Sequence, residues 1–276
     1  MVARWSKRNT ESRPMASARS AQSRTSVAGA NDWFTSRSMR TWAVLHLVSM
    51  CGRFVASTPV STLATVFDAE VGGVDLRPSW NVAPTTRIAG IRDVEGHRRI
   101  DTFVWGLMPA WRRTSPTPLI NARAESVTEK PSFRGLVPGH RCVVPMTGYY
   151  EWLTTKEAKR KIPYFISRRD GDPLAVAGLW DEGDEASGGY PRACVITVAA
   201  NAHLAEIHDR MPAVLAGDTL DAWLEGDVAE AVAVLSSLGD GILDAFEVST
   251  KVNSVRNNDP TNIEPVAGQL PDSLFD

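Results

Sequence analysis

From residue 50 onward, the sequence consists of short apolar runs that are separated by glycine and proline. Runs of this length that are rich in β-branched and aromatic side chains are typical of β-strands, and runs without polar alternation indicate strands buried on both faces. The clearest of them are G-R-F-V-A-S, R-I-A-G-I, I-D-T-F-V-W-G-L, R-C-V-V-P, Y-F-I-S, L-A-V-A-G-L-W and A-C-V-I-T-V. Such a chain must build its core around a β-sheet.

Helical patterns are fewer than strand patterns. Apolar residues recur at helical spacing in 60–67 after Pro59, a capped helix is predicted at 201–207, and a third begins at Thr219, with Asp218 or Thr219 as its cap. Strands and helices interleave without a regular βαβ period. We therefore predict an α+β fold, a single domain around a curved mixed β-sheet or open barrel with a few flanking helices.

The charge is distributed unevenly along the chain. Residues 1–49 contain eight Lys and Arg against two acidic residues, whereas 50–276 contain 22 basic against 30 acidic residues. A basic arm can bind nucleic acid or a membrane, but a segment encoded upstream of the true start would look the same. We predict that 1–49 is a disordered extension, either not translated or removed, that 50–267 is the folded domain, and that 268–276 is a loose tail.

Cysteine usage and hydropathy restrict the cofactors and the compartment. The three cysteines form no C-x-x-C pair and no Cys-His cluster at zinc spacing, which predicts a reduced, cytoplasmic protein without a metal or another cofactor. The apolar segment after Arg40 lacks a small-x-small cleavage site, and no run approaches the roughly 20 apolar residues that span a bilayer. We expect a monomer that does not associate with membranes.

Four polar clusters follow apolar runs, at the ends of predicted elements where sites are usually built. They contain Cys51, Asn121, Glu151 and His208. Each residue also has an ordinary structural explanation: a buried thiol, a turn or cap, a solvent-facing strand residue and a helix C-terminal cation. Together, however, they supply a nucleophile, a proton-transfer pair and an orienting hydrogen bond. Arginines and tryptophans surround them, and these residue types can bind phosphates and stack on unpaired bases, or simply belong to the core.

A set of motifs in a fixed order makes the chain recognisable. From 50 to about 267 these are M-C-G-R-F, W-N-V-A-P, W-G-L-M-P-A-W, I-N-A-R-A-E, R-C-V-V-P-M-T-G-Y-Y-E-W, A-G-L-W, T-V-A-A-N-A, I-H-D-R-M-P and V-S-T-K-V-N-S-V-R-N. This region resembles the SRAP family of abasic-site processing proteins. The resemblance implies a protein of the DNA damage response that binds single-stranded DNA containing an abasic site and links itself covalently to the open-chain sugar aldehyde.

The resemblance also implies a role for each site residue. Cys51, exposed as the N-terminal residue after methionine removal, is the nucleophile, Asn121 positions the sugar, Glu151 is the acid/base and His208 is a second proton shuttle. The predicted DNA-binding residues are Arg53, Asn81, Pro84, Trp105, Arg123 and Trp152.

The chemistry of an N-terminal cysteine agrees with this implication. An aldehyde and a free α-amine give a Schiff base, and the thiol on the same residue can then close a five-membered thiazolidine ring at high effective molarity. An α-amine has a pKa near 8, so a useful fraction is neutral at pH 7. The Schiff base also permits β-elimination, which predicts weak abasic-site lyase activity.

Two other functions remain open from the residues alone. The first is a cysteine peptidase or amidohydrolase that uses Cys51 and His208, and the second is a non-enzymatic binder of single-stranded nucleic acid. The thiazolidine mechanism alone requires a free amine on Cys51. It therefore predicts that translation starts at Met50 or that the first 49 residues are cut off, and the family's own site could remove Met50 as a self-processing peptidase.

Overall fold

The computed structural model describes residues 51–109, 117–155, 161–217, 219–236 and 238–266, which belong to one compact unit. The predicted extension, 1–49, and the predicted tail, 268–276, lie outside the described residues, so both stay predictions.

The described residues form mostly short strands, with three α-helices. The strands are β1 (Arg53–Ala56), β2 (Glu70–Val71), β3 (Ser79–Val82), β4 (Arg87–Val94), β5 (His97–Trp105), β6 (Asn121–Arg123), β7 (Arg141–Met146), β8 (Gly148–Thr154), β9 (Lys161–Arg168), β10 (Leu174–Asp181), β11 (Arg192–Ala199), β12 (Arg210–Pro212), β13 (Val214–Leu215) and β14 (Leu243–Glu247). The helices are α1 (Val60–Phe67), α2 (Thr219–Leu224) and α3 (Val228–Ala233). All seven quoted apolar runs lie in strands.

The strands form two sheets. A five-stranded antiparallel sheet has the order β14-β9-β8-β1-β3, and a nine-stranded sheet runs β12-β11-β10-β7-β4-β5-β2 with β6 and β13 attached. In the larger sheet, β11 pairs in parallel with both β5 and β6, while its other neighbours are antiparallel. Because β11 returns to β5, the strands β4, β5, β7, β10 and β11 form a ring. The α+β class with a curved mixed sheet is confirmed, and the strands also build a second sheet.

The distribution of buried residues follows from this arrangement of the strands. The nine-stranded sheet is buried on both faces along much of its length, and every residue of β7 is buried. The guanidinium group of Arg141 at the start of β7 donates to the carbonyls of Val137, Trp223 and Gly226, which ties α2 and the following turn to the sheet.

The predicted helices differ in outcome. Both α1 and α2 have the predicted ranges. The segment 201–207 contains only a 3₁₀ turn at Leu204–Glu206, although Asn201 caps it by accepting from the amide of Leu204 at 3.0 Å. An α-helix cannot develop there because β12 begins at Arg210. None of the helices in the described ranges reaches the length and hydrophobicity that a transmembrane helix requires.

Candidate active site

The pairing of β1 with β8 brings Cys51 to Glu151. Arg53 lies opposite Tyr150 in this antiparallel pair, so Cys51, two residues before Arg53, emerges beside Glu151. The backbone nitrogen of Cys51 donates a hydrogen bond to Oε1 of Glu151 at 2.5 Å. The atom that would be the α-amine of an N-terminal cysteine is therefore in contact with a carboxyl group.

The side chain of Glu151 faces the main core. Side chains alternate along a strand, so Tyr149 and Glu151 share one face of β8, while Tyr150 and Trp152 pack in a separate cluster on the other face. Glu151 is only 4% exposed. Burial raises its pKa, and the charge of His208 and the hydrogen bonds from Cys51 act in the opposite direction. Glu151 is thus a stronger base than a solvent-exposed glutamate.

Cys51 is also buried, at 3% exposure. Burial raises the pKa of its thiol well above the usual value, the negative charge of Glu151 raises it further, and the positive charge of Arg210 lowers it. Its backbone has a φ of 47°, in the left-handed region that non-glycine residues rarely adopt. Cys51 therefore combines a neutral thiol with a strained backbone.

His208 is the third residue of the site, and its charge lowers the pKa of Glu151. It follows the 3₁₀ turn at Leu204–Glu206, and its Nδ1 accepts a hydrogen bond from the amide of Arg210 at 3.0 Å. The neutral ring therefore carries its proton on Nε2. A carboxylate oxygen of Asp209 lies 3.0 Å from the same nitrogen. The imidazole can thus both donate and accept a proton beside Glu151.

Arg210 supplies a fixed positive charge near the thiol. Its guanidinium group donates to both carboxylate oxygens of Glu125 and, at 2.6 Å, to the carbonyl of Thr197. The hydrogen bond from Arg210 is the main cause of the lowered pKa of Glu125. Glu125 lies in the A-R-A-E motif, but the motif does not predict its pairing with Arg210, which is 85 positions away.

Asn121 is the first residue of β6. This strand pairs in parallel with β11, with Asn121 opposite Val195, and the side chain is half-buried. On the other side of β11, β12 carries Arg210 opposite Ala199. The positioning role of Asn121 stays a prediction.

Two of the predicted DNA-binding residues hold the C-terminal part of the domain. Arg53 donates to Oδ1 of Asn81 and to the carbonyl of Val252, both at 2.9 Å. The amide nitrogen of Asn81 donates to the carbonyls of Val252, Ser254 and Asn257. Asn81 is buried, and these bonds give it a structural role whether or not DNA is bound.

The other four predicted DNA-binding residues differ in exposure. Arg123 is exposed at the end of β6, and Pro84 and Trp152 are partly exposed. Trp105 is fully buried, packs edge-on against Phe54 and donates to the carbonyl of Ile120. A ring without exposed surface cannot stack on a base, so we exclude Trp105 from the DNA path. Its run of apolar neighbours is the sequence signal for a core position.

A metal centre has no candidate ligands in the described part of the chain, where no three His, Cys, Asp or Glu residues are grouped to hold an ion. The site can transfer protons to and from the nitrogen and the sulfur of Cys51, with Glu151 and His208 as the exchanging groups.

Comparisons with known proteins agree with this geometry. Residues 50–255 match the model of the family described as SOS response associated peptidase (SRAP). The chain is 33% identical over 223 residues to abasic site processing protein YoqW of Bacillus subtilis, covering 78% of this chain and 99% of that protein. It is 31% identical over 230 residues to abasic site processing protein YedK of Escherichia coli, covering 79% and 100%.

A more distant relative and a solved structure extend the comparison. Abasic site processing protein HMCES of Gallus gallus is 31% identical over 231 residues, covering 71% of this chain and 68% of that protein. A crystal structure of a protein from Bacteroides thetaiotaomicron aligns with a TM-score of 0.68 and 26% identity, covering 78% of this chain and all of the other.

Proposed function

Because this chain belongs to the SOS response-associated peptidase family, we propose that it processes abasic sites in DNA. In this proposal the protein binds single-stranded DNA and forms a covalent thiazolidine between Cys51 and the open-chain aldehyde of the abasic sugar. The link shields the lesion during the DNA damage response, in the cytoplasm and at the nucleoid. The observation that carries the proposal is the 2.5 Å contact between the nitrogen of Cys51 and Oε1 of Glu151.

The first chemical step is Schiff-base formation. Glu151 accepts a proton from the ammonium group of an N-terminal Cys51, and the neutral amine attacks C1′ of the aldehyde to give a carbinolamine. Loss of water then requires a proton for the departing hydroxyl group, which His208 donates. Asn121 orients the sugar. The raised pKa of Glu151 supports its role as the base.

The second step closes the ring. Glu151 first passes the proton that it took from the ammonium group to His208, which gave one up in the first step. The Cys51 sulfur then bonds to C1′, the π electrons of the C=N bond move to nitrogen, and the thiol proton passes to Glu151. Because amine and thiol share one Cα, the closure is intramolecular and needs no second encounter. If a base removes a C2′ proton from the Schiff base first, the C3′–O bond breaks, the 3′ phosphate leaves, and this β-elimination gives weak lyase activity.

This mechanism requires the α-amine of Cys51 to be free. We propose that translation starts at Met50 or that the preceding segment is cut off, and that Glu151 and Cys51 assist removal of Met50 as a self-processing peptidase. The start of the family match at residue 50 supports this proposal. The DNA path would run past Arg53, Pro84, Arg123 and Trp152, and the buried Asn81 would support it by holding Arg53 in place. The protein would act as a monomer.

A conventional cysteine hydrolase is the weaker candidate. Such an enzyme attacks with a thiolate that a neighbouring base produces. Here burial and the Glu151 charge both raise the pKa of the Cys51 thiol, while the nitrogen of Cys51 donates directly to Oε1 of Glu151. We therefore favour the amine as the first nucleophile.

The deciding experiment is a crosslinking assay. Protein translated from Met50, with the N-terminal residue identified by mass spectrometry, is incubated with single-stranded DNA that contains one abasic site and analysed on a denaturing gel. We expect a shifted band that is absent with intact DNA and absent for Cys51→Ala. Cys142→Ala is the matched control, since this buried thiol lies in β7 and should leave the band intact.

The same assay can refute the mechanism. Protein that retains residues 1–49 in peptide linkage to Cys51 should give no stable crosslink. A crosslink of equal yield with the extension still attached would exclude attack by the α-amine.

A further inference from the structure

The hydroxyl group of Tyr149 is a polar atom that the mechanism above does not use. The side chain is 1% exposed and lies two residues before Glu151 on the same face of β8, about 7 Å along the strand. Among the residues that the structure describes, its oxygen has no hydrogen-bond partner. A buried hydroxyl without a partner destabilises a fold, so its presence here calls for an explanation.

Tyr149 belongs to the same buried core cluster as Cys51, and it shares a face of β8 with Glu151, which accepts from the nitrogen of Cys51. Burial raises the pKa of Tyr149 well above its usual value, and the charges of Cys51 and Glu151, in that order, raise it further. The phenol therefore stays protonated across the working pH range and can only donate through its O–H to an anion beside it. Of the two groups, Cys51 has the greater influence.

Ring closure creates a need for such a donor. When the thiol ionises, its negative charge develops in a buried site beside Glu151, and both features disfavour the thiolate. Arg210 opposes them through its charge but is already bonded to Glu125 and Thr197. A neutral donor with no other partner can stabilise the sulfur without being withdrawn from another contact.

We propose that the Tyr149 hydroxyl donates a hydrogen bond to the Cys51 sulfur as it ionises, and thereby accelerates thiazolidine closure. This inference rests on the proposed function and assigns a donor to its second step. The proton that leaves sulfur goes to Glu151, the S–C1′ bond forms as the C=N π electrons return to nitrogen, and the phenol proton stays on Tyr149. Tyr149 is not consumed and no further reactant is needed.

The test separates the two steps in Tyr149→Phe. Borohydride reduces and traps the Schiff base, which requires the amine alone, whereas the crosslink that forms without borohydride requires ring closure. We expect Tyr149→Phe to form the trapped species at the wild-type rate and to close the ring about tenfold more slowly, as for loss of a hydrogen bond to a charged group. The pH dependence of closure should shift to higher pH, because the thiol ionises less readily.

Tyr150→Phe is the matched control. The hydroxyl of Tyr150, on the opposite face of β8, donates to the carbonyl of Trp80 at 2.7 Å. Its removal should lower the melting temperature and leave both chemical steps unchanged. Tyr149→Phe should show the reverse pattern, with an unchanged or higher melting temperature, since no hydrogen bond is lost in the free protein.

Two results would overturn the inference. Wild-type closure rates in Tyr149→Phe would show that the hydroxyl does not act on sulfur, and an equal slowing of both steps would assign it a structural role. Failure of the wild-type protein to form even the trapped Schiff base would instead refute the proposed function, and this inference with it.

Discussion

In the proposed mechanism, the carboxyl group of Glu151 accepts two protons from Cys51, first from the ammonium group and later from the thiol. Glu151 contacts the nitrogen of Cys51 at 2.5 Å, is almost fully buried, and has a pKa that burial raises. With an N-terminal amine in place, ammonium and carboxyl groups titrate as a coupled pair. The reactive state has a neutral amine and a base able to hold its proton, which makes the rate sensitive to pH.

Glu151→Gln should slow crosslinking by about 100-fold at neutral pH, within the range for loss of general acid–base catalysis. Because its pKa is raised, Glu151 loses its basic form as the pH falls through a value above that of an ordinary glutamate. The wild-type rate should therefore decline on acidification at a higher pH than a glutamate of ordinary pKa would give. In Glu151→Gln the part of this decline that Glu151 causes should disappear. Rates measured from pH 5 to 9 at saturating DNA check both expectations.

Glu129→Gln serves as the control, because Glu129 is an exposed carboxylate outside the site. It should retain the wild-type rate and pH profile. If Glu151→Gln weakens noncovalent DNA binding as much as it slows the reaction, Glu151 has a structural role instead.

The sequence identifies the candidate residues one by one, but not the distances between them. Cys51 and Glu151 are 100 positions apart, and no local periodicity predicts that β1 pairs with β8. Trp105 illustrates a second limit of prediction from sequence, which is that the residue type does not reveal its burial. An indole in a strand pattern fits a stacking ring or a core residue equally well, and only the fold shows that it is fully buried. The same holds for Tyr149, because the motif G-Y-Y-E-W does not reveal that its hydroxyl finds no hydrogen-bond partner within the described ranges.

At the level of elements, the segment 249–263 is fastened to the small sheet by a few side chains. Asn81 in β3 donates to three of its carbonyls, and Trp152 in β8 donates to Oδ1 of Asn253 at 2.8 Å. Within the segment, Val252 and Asn262 are fully buried against the sheet. The segment thus covers one face of the sheet whose other face carries Glu151.

Asn81→Ala should lower the free energy of unfolding by about 3 kcal/mol, because three hydrogen bonds from a buried side chain are lost. Amide hydrogen exchange should rise first in 252–257. Asn253→Ala is the control, since it removes one exposed acceptor and should cost less than about 1 kcal/mol. Equal exchange in wild type and Asn81→Ala would show that other contacts hold the segment.

Prediction of the elements from sequence succeeded where the local signal was complete. The pattern at 60–67 gives α1 with its predicted ends, and the quoted apolar runs all became strands. The 201–207 prediction correctly identified the Asn201 cap but not the length of the helix. Helix α3 went unnoticed although Asp227 and Glu230 form a capping box at its start, because six residues carry little periodicity.

At the scale of the whole molecule, binding of DNA must overcome an acidic composition. Residues 50–276 contain more acidic than basic residues, and in the function that we propose the phosphate contacts come from local arginines such as Arg53 and Arg123. Each neutralised phosphate on single-stranded DNA contributes about 0.7 to the slope of log K against log salt concentration.

Arg123→Ala should weaken noncovalent binding and reduce that slope by about 0.7 if the exposed guanidinium contacts one phosphate. The crosslinking rate at saturating DNA should remain that of the wild type. Arg169→Ala, at an exposed arginine after β9, should change neither quantity. An unchanged slope in Arg123→Ala would remove Arg123 from the DNA path.

The division of the strands into two sheets could not be predicted. The α+β class follows from the periodicity, whereas sheet membership depends on pairings between distant strands. The ring closes only because β11 adds a parallel contact to β5, and the site depends on β6 and β12 lying on either side of β11.

The left-handed backbone of Cys51 has a consequence for the direction of processing. Its φ of 47° is defined by the carbonyl carbon of the preceding residue, and this conformation costs a non-glycine residue about 1 to 2 kcal/mol. In the self-processing that we propose, that carbonyl leaves with Met50 and the steric conflict is relieved, whereas rejoining the two residues would have to restore it. This strain energy would favour the cleaved state, with its free cysteine, by roughly tenfold.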